Sequence, residues 1–141
     1  MRKPGMIVLA IAALAVLIQF VPVDRTNPSG GGAIEASDAV RAVFVRSCYD
    51  CHSNETKWPW YSSVAPVSWV IARDVKEGRG HLNFSSWQDY SQERRRRLAE
   101  EIYEEVSEGK MPLGAYVFIH RKARVAPGDI EALRKWAGVQ P

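Results

Sequence analysis

The sequence predicts an all-α domain that follows an apolar N-terminal segment. Apolar residues recur at helical spacing in several stretches, and no stretch alternates apolar and polar residues for long enough to build a sheet. Both cysteines of the 141-residue chain lie in one segment, Cys48-Tyr49-Asp50-Cys51-His52, which we call the cysteine box. Two cysteines so close together do not provide a disulfide framework, so we expect one small helical domain with another source of stability.

Residues 1–23 form the apolar start of the chain. Arg2 and Lys3 precede an almost uninterrupted apolar run over residues 6–23, which is about the length needed to cross a membrane. A cleaved signal peptide begins in a similar way, and either interpretation exports the rest of the chain because the basic residues stay on the cytoplasmic side. We expect an uncleaved transmembrane anchor in the inner (cytoplasmic) membrane, with the domain on the periplasmic side.

Residues 24–35 predict a flexible linker, and residues 36–141 form the predicted domain. Pro28 and the glycines at 30–32 are typical of segments that bury too little surface to become ordered. Without the two basic residues near the N-terminus, the chain has 17 Lys and Arg residues against 16 Asp and Glu residues. This balance gives no support to a nucleic-acid partner.

The first two helices of the domain are predicted from their apolar stripes and end signals. Ser37 is a good N-cap, and the apolar stripe that follows it reaches Phe44, just before the cysteine box. A second helix is expected to begin at Pro66 and to close at Gly78, because proline favours a first helical turn and glycine favours a helix end. Residues 79–87 are then expected to form a loop.

Two further helices complete the predicted domain. An apolar stripe over residues 92–108 predicts a long helix that stops at Gly109. Residues 113–124 are expected to be irregular or extended. Pro127 opens a last helix, which ends before Gly138.

The cysteine box has the C-x-x-C-H spacing at which c-type haem is attached. Two cysteines on one helical turn can each bond one vinyl-derived carbon, and the following imidazole can then ligate the iron. A redox dithiol would need a βαβ context, and a zinc site built from the box and His81 would match no common zinc spacing. We predict one haem c, bonded covalently to Cys48 and Cys51 with His52 as the proximal iron ligand. A zinc site and a redox dithiol are the alternatives.

Met111 is the candidate for the distal iron ligand. Gly109 ends the preceding helix, and Pro112 favours an extended backbone at Met111, so the thioether can project from a loop onto the iron. Met111 is also the only methionine of the predicted domain. His81 is the alternative distal ligand, in a loop that could swing inward.

Three aromatic residues are candidates for the wall of the haem pocket. We expect Trp58, Trp60 and Tyr61 to bind the haem, with an indole N–H or phenol O–H within reach of a propionate. Arg73 or Arg79 could join them.

With two axial ligands the iron has no open position, so we expect an electron carrier rather than an enzyme, serving membrane or periplasmic redox proteins. A haem-based sensor with a displaceable distal ligand is one alternative. A small peroxidase-like enzyme, with His81 as its acid/base group, is another.

Several of these features together resemble the class I c-type cytochromes. They are Phe44 four residues before Cys48, the cysteine box, Met111-Pro112, and Leu133 and Trp136 in the last helix. The resemblance implies a cytochrome c-like fold in which the terminal helices cross, with Phe44 near Leu133 and Trp136. Val40 departs from the family pattern, which favours a small residue, usually glycine, at the crossing.

A closer resemblance covers most of the predicted domain. The stretch Cys48–Tyr61, followed by Ala65–Trp69 and His81–Phe84, is similar to the small bacterial haem-binding domain family. This resemblance implies haem binding and says little about the redox partner.

Overall fold

The computed structural model describes residues 4–32 and 34–140, and within these ranges the regular secondary structure is entirely helical. The α-helices are α1 (Pro4–Leu17), α2 (Asp38–Ser47), α3 (Tyr49–His52), α4 (Val67–His81), α5 (Gln92–Ser107), α6 (Gly114–Ile119) and α7 (Pro127–Trp136). Short 3-10 helices lie at Ile18–Phe20, Trp60–Ser63, Phe84–Asp89 and Arg121–Ala123. The predicted all-α fold class is confirmed.

The predicted caps hold one end of α2 and one end of α5. The Ser37 hydroxyl accepts a hydrogen bond from the Val40 N–H at 3.4 Å, at the start of α2. Gly109 follows α5 with φ +72°, and the Lys110 N–H donates to the Glu105 carbonyl at 2.9 Å. This backward bond is the Schellman arrangement, which requires a left-handed residue after the last turn and therefore favours glycine.

The helices α2 and α7 meet in the core. The buried Phe44 ring lies edge-to-face with the Trp136 ring at a centroid distance of 5.0 Å, and Leu133 is fully buried in the same core cluster. Arg46 forms an ion pair with Asp129 that ties the two helices together. An aromatic pair of this kind adds about 0.5–1.5 kcal/mol beyond its buried area. The contact implied by the cytochrome resemblance is therefore confirmed.

The helix α4 is longer than predicted. The predicted end at Gly78 is wrong, because the helix continues to His81, and much of the predicted loop at 79–87 is helical as well. Gly78 is buried inside α4, where a Cβ atom would lie 2.7 Å from the Cys51 carbonyl oxygen. This glycine is therefore explained by the close approach of two backbones and not by a helix end.

The helix α6 occupies part of the segment for which irregular or extended structure is predicted. The Tyr116 hydroxyl donates a hydrogen bond to Asp50 Oδ2 at 2.7 Å, and the Tyr116 ring stacks on His120 at a centroid distance of 4.4 Å. Isolated helices of this length are not stable in water, so tertiary contacts such as these are needed to hold α6 in place. The local sequence pattern does not reveal such contacts.

The predicted linker at 24–35 lies against the domain. Ile34 is 1% exposed and belongs to the core, which corrects its assignment to the linker. The Gly32 N–H donates to the Ser85 carbonyl at 3.1 Å. Ala33 lies outside the described residues.

The N-terminal segment places its apolar side chains at the surface. All residues of α1 are exposed, and the 3-10 helix Ile18–Phe20 follows it directly. In residues 4–32 and 34–140, no helix combines the length and the apolar character needed to cross a membrane. Arg2 and Lys3, which orient the predicted anchor, lie outside the described residues.

Candidate functional site

A cleft of about 320 Å³ brings several predicted site residues together. Cys48, His52, Met111 and the alternative ligand His81 all line it. Most of its remaining wall is apolar and comes from the segment after α4 and from α5, with Leu82, Phe84, Leu98, Ile102 and Val106. We call it the histidine cleft. Such an apolar cleft with a few convergent polar groups is typical of a cofactor site.

The imidazole of His52 is held by the last turn of α4 and by the residue after it. Its Nδ1 atom lies 3.0 Å from the Gly78 carbonyl oxygen and 3.2 Å from the Leu82 carbonyl oxygen. Carbonyl oxygens only accept hydrogen bonds, so Nδ1 must carry the proton and Nε2 has a free lone pair. Burial lowers the pKa of His52, which favours this neutral form. A neutral imidazole fixed by a backbone carbonyl is the arrangement of a metal-ligating histidine.

The two thiols lie within one helical turn of each other. The Cys51 and His52 N–H groups donate to the Cys48 carbonyl at 3.2 and 2.9 Å, so the cysteine box forms one hydrogen-bonded turn. Burial is the main cause that raises the pKa of Cys48 to about 12 and that of Cys51 to about 11. Both are therefore thiols at neutral pH, whereas the reactive cysteine of a redox dithiol has a lowered pKa. The raised pKa values of the two cysteines therefore do not favour a redox dithiol.

Met111 and His81 occupy different parts of the cleft. Met111 is half-buried and packs against the core cluster, and its N–H donates to the Glu105 carbonyl at 3.0 Å. His81 is exposed, and its Nε2 lies 2.8 Å from Glu101 Oε1. The thioether therefore belongs to the inner wall, while the imidazole of His81 is engaged at the solvent side.

The side chains of the histidine cleft fit a haem. They supply the Cys48 thiol, a neutral imidazole with a free Nε2 and a thioether in largely apolar surroundings, and the Cys51 thiol lies one turn away, at the second cleft described below. Ser47 also lines the cleft, and its buried hydroxyl has no hydrogen-bond partner among the described residues. A family model described as a haem-binding domain matches residues 13–138. The chain belongs to the haem-binding domain family. No curated protein matches the chain, and no solved structure does.

The zinc alternative has no ligand set in this haem-binding domain. A structural zinc ion takes four protein ligands. Among the described residues, no three His, Cys, Asp or Glu side chains lie together in a group that could hold a metal ion.

The aromatic residues predicted as the pocket wall do not line the histidine cleft of the haem-binding domain. Trp60 is 80% exposed, and the buried Trp58 Nε1 has no hydrogen-bond partner among the described residues. The Tyr61 hydroxyl is hydrogen-bonded to His120 Nε2. Arg79 also lies elsewhere, because its guanidinium Nε donates to the Ser53 carbonyl at 2.7 Å. These residues therefore lie outside the histidine cleft, and their contact with a haem stays a prediction.

A second cleft, of about 200 Å³, lies on the Cys51 side of the haem-binding domain. Tyr61, Tyr116 and His120 line it together with Asp50 and Cys51, and their hydrogen bonds and ring contacts join them. Burial and the hydrogen bond to Asp50 raise the pKa of Tyr116, so its hydroxyl stays protonated as a donor. This chain of contacts attaches α6 to the cysteine box.

Sequence reasoning missed most of the wall of the histidine cleft. The apolar stripe of α5 was recognisable, but a stripe does not show which surface it covers. Leu82 and Phe84 follow His81 in a segment that was expected to be a loop, so their burial was not expected. Two signals were available, namely their apolar character, unusual in an exposed loop, and their place in the His81–Phe84 stretch that resembles the haem-binding domain family.

Proposed function

We propose that the chain carries one haem c, bonded to Cys48 and Cys51, and transfers single electrons with His52 and Met111 as axial ligands. The observation that carries the proposal is the neutral His52 imidazole, fixed at Nδ1 by two carbonyl oxygens in a cleft that also contains Met111. When bound, the haem supplies a reversible one-electron couple at its iron.

The chain's own residues would prepare this site in three ways. The hydrogen bonds of His52 present its Nε2 lone pair in one orientation. The apolar side chains of α5 exclude water from the cleft, which stabilises a buried prosthetic group. Met111 would supply the second protein ligand of the iron, and two protein ligands would leave no open site for a substrate. This last point supports a carrier rather than an enzyme.

The proposal includes export and association with the inner membrane, with the domain on the periplasmic side. The exposed apolar residues of α1 support it, since such a surface is unfavourable in water. The partners would then be membrane or periplasmic redox proteins, and confinement near them would raise the effective concentration of the carrier.

The test is an optical spectrum of the purified protein in its oxidised form, its reduced form and its reduced form with carbon monoxide. We expect the haem to stay on the polypeptide in a denaturing gel. The protein should be reversibly reduced, and the spectrum of its reduced form should change little with carbon monoxide. Met111→Ala should lose the sulfur-to-iron charge-transfer band of the oxidised form, and His81→Ala should keep it. The reverse result would reject Met111 as the distal ligand.

A haem-based sensor is the second candidate. It is favoured by one observation, namely that His81 also lines the histidine cleft and offers an exchangeable ligand. Rapid binding of carbon monoxide to the reduced wild-type protein would support the sensor over the carrier.

A further inference from the structure

Two uncharged segments of the domain carry most of its exposed apolar side chains. Residues 58–72 and residues 111–119 contain no Asp, Glu, Lys or Arg. Among the described residues after the linker, every large exposed apolar side chain except Val45 lies in these two segments. We call their most prominent members the apolar face: Trp60, Val64, Val67, Val70, Phe118 and Ile119.

The two segments meet at one surface. Val67 and Val70 from α4 line the same cleft as Leu113 and Ile119 from the region of α6. Trp60 and Phe118 belong to the same two segments, and each is 80% exposed. Monomeric proteins rarely leave a continuous apolar patch uncovered, so this face is expected to contact something.

The N-terminal apolar segment is attached beside this face. The Gln19 side chain accepts a hydrogen bond from the Ala65 N–H at 2.9 Å and donates to the Ala65 carbonyl at 3.2 Å. Arg25 donates to the Ser62 carbonyl at 3.4 Å. Ala65 and Ser62 lie within the first uncharged segment, so the N-terminal segment is joined, just after α1, to one of the two segments that form the apolar face.

Basic side chains border the apolar face. Lys57, Arg121 and Lys122 line a neighbouring cleft that also includes Ile119. None of these three has an ion-pair partner among the described residues. An apolar surface with aromatic residues and a basic border is the pattern of a protein that lies on an anionic bilayer.

We infer that the apolar face rests on the surface of an anionic lipid bilayer, with Trp60 and Phe118 at the boundary between headgroups and acyl chains. Lys57, Arg121 and Lys122 contact the headgroups. The inference rests on the proposed membrane association and adds an orientation to it. Cys51 lines the cleft between the two halves of the face, so the Cys51 side of the haem site is directed toward the membrane and its redox proteins.

The test uses the full chain with its haem, reconstituted in vesicles of phosphatidylcholine and phosphatidylglycerol that contain a photoactivatable phospholipid. Mass spectrometry identifies the residues that become crosslinked to lipid. We expect crosslinks in α1, as the internal measure of membrane association, and also in both uncharged segments. In vesicles without phosphatidylglycerol, the crosslinks in the two segments should decrease.

Trp60→Glu combined with Phe118→Glu should remove the crosslinks from both segments and keep those in α1. Both side chains are mostly exposed, so the haem spectrum and the far-UV circular dichroism should not change. A matched control, Gln92→Glu with Ser107→Glu, adds the same charge at exposed positions of α5 and should leave every crosslink in place.

Three results would overturn the inference. Crosslinks in α1 alone would show that the membrane association holds and that the apolar face does not touch lipid. Crosslinks in neither region would reject the membrane association together with the orientation, while the haem spectrum would still report on the carrier. A dimer detected by analytical ultracentrifugation and lost in the Trp60→Glu, Phe118→Glu variant, without lipid crosslinks in the two segments, would assign the face to a second copy of the chain.

Discussion

His52 and Met111 line the same cleft, but the fold positions them in different ways. The His52 side chain is itself hydrogen-bonded, with Nδ1 at 3.0 and 3.2 Å from two carbonyl oxygens of α4 and the residue after it. Met111 is held through its backbone N–H, and its side chain is held only by packing. The imidazole therefore has one orientation before any cofactor binds, whereas the thioether keeps some rotamer freedom.

This difference separates a rigid side of the site from an adaptable one. A substitution near His52 should disturb the fold and the ligand together, because the same backbone contacts position both. A substitution near Met111 should change the ligand more than the fold.

Removal of both thiols of the cysteine box should have the largest effect. In the Cys48→Ala, Cys51→Ala double variant, we expect no haem on the polypeptide in a denaturing gel and a loss of the near-UV circular dichroism signal. The physical reason is that the histidine cleft is lined by apolar side chains that an attached haem would cover. A native-like near-UV spectrum without haem would show that the fold does not depend on the cofactor.

Gly78→Ala should damage the rigid side. The new Cβ atom would lie 2.7 Å from the Cys51 carbonyl oxygen, and because both are held by backbone, α4 must move away from the cysteine box. We expect a loss of up to about 3 kcal/mol in the free energy of unfolding, measured by urea denaturation. The reduction potential of the haem-loaded protein should also rise. A His52 imidazole that loses its carbonyl acceptor would be a weaker electron donor to the iron.

Gly80→Ala is the matched control in the same helix. No neighbouring atom lies within 4 Å of a Cβ atom at Gly80, so the alanine should be neutral or stabilise the protein by about 0.4–1 kcal/mol. Equal losses of stability in the two variants would contradict the close contact between Gly78 and the box.

The features that were predictable from the sequence depend on neighbours along the chain. Ser37 and Gly109 act within one helical turn of themselves, and both perform the predicted capping roles. The spacing of Cys48, Cys51 and His52 is likewise local. The haem assignment could therefore be made before any tertiary contact was known.

The features that were missed depend on contacts between distant parts of the chain. Gly78 has the appearance of a helix stop in the sequence, and only its approach to Cys51 explains why the helix continues through it. The carbonyl acceptors of His52 belong to the backbone of another helix, so no residue type marks them. The exposure of Trp60 is also unexpected from its residue type, since large aromatic side chains are usually buried.

Gly109→Ala should have a smaller effect, confined to the adaptable side. Gly109 has φ +72°, so an alanine there costs about 1 kcal/mol of stability through backbone strain. Met111 follows two residues later, and its N–H shares the Glu105 carbonyl with the N–H of Lys110. A distorted cap should therefore move Met111 and weaken the sulfur-to-iron band of the oxidised protein.

Gly138→Ala separates this local effect from a general loss of stability. Gly138 also has φ +72°, and the Val139 N–H donates to the Arg134 carbonyl at 3.1 Å in the same Schellman arrangement after α7. The strain should cost a similar amount, about 1 kcal/mol, without moving a candidate ligand. If both variants weaken the band equally, Met111 responds to overall stability and not to the cap of α5, and the distinction between a rigid and an adaptable ligand fails.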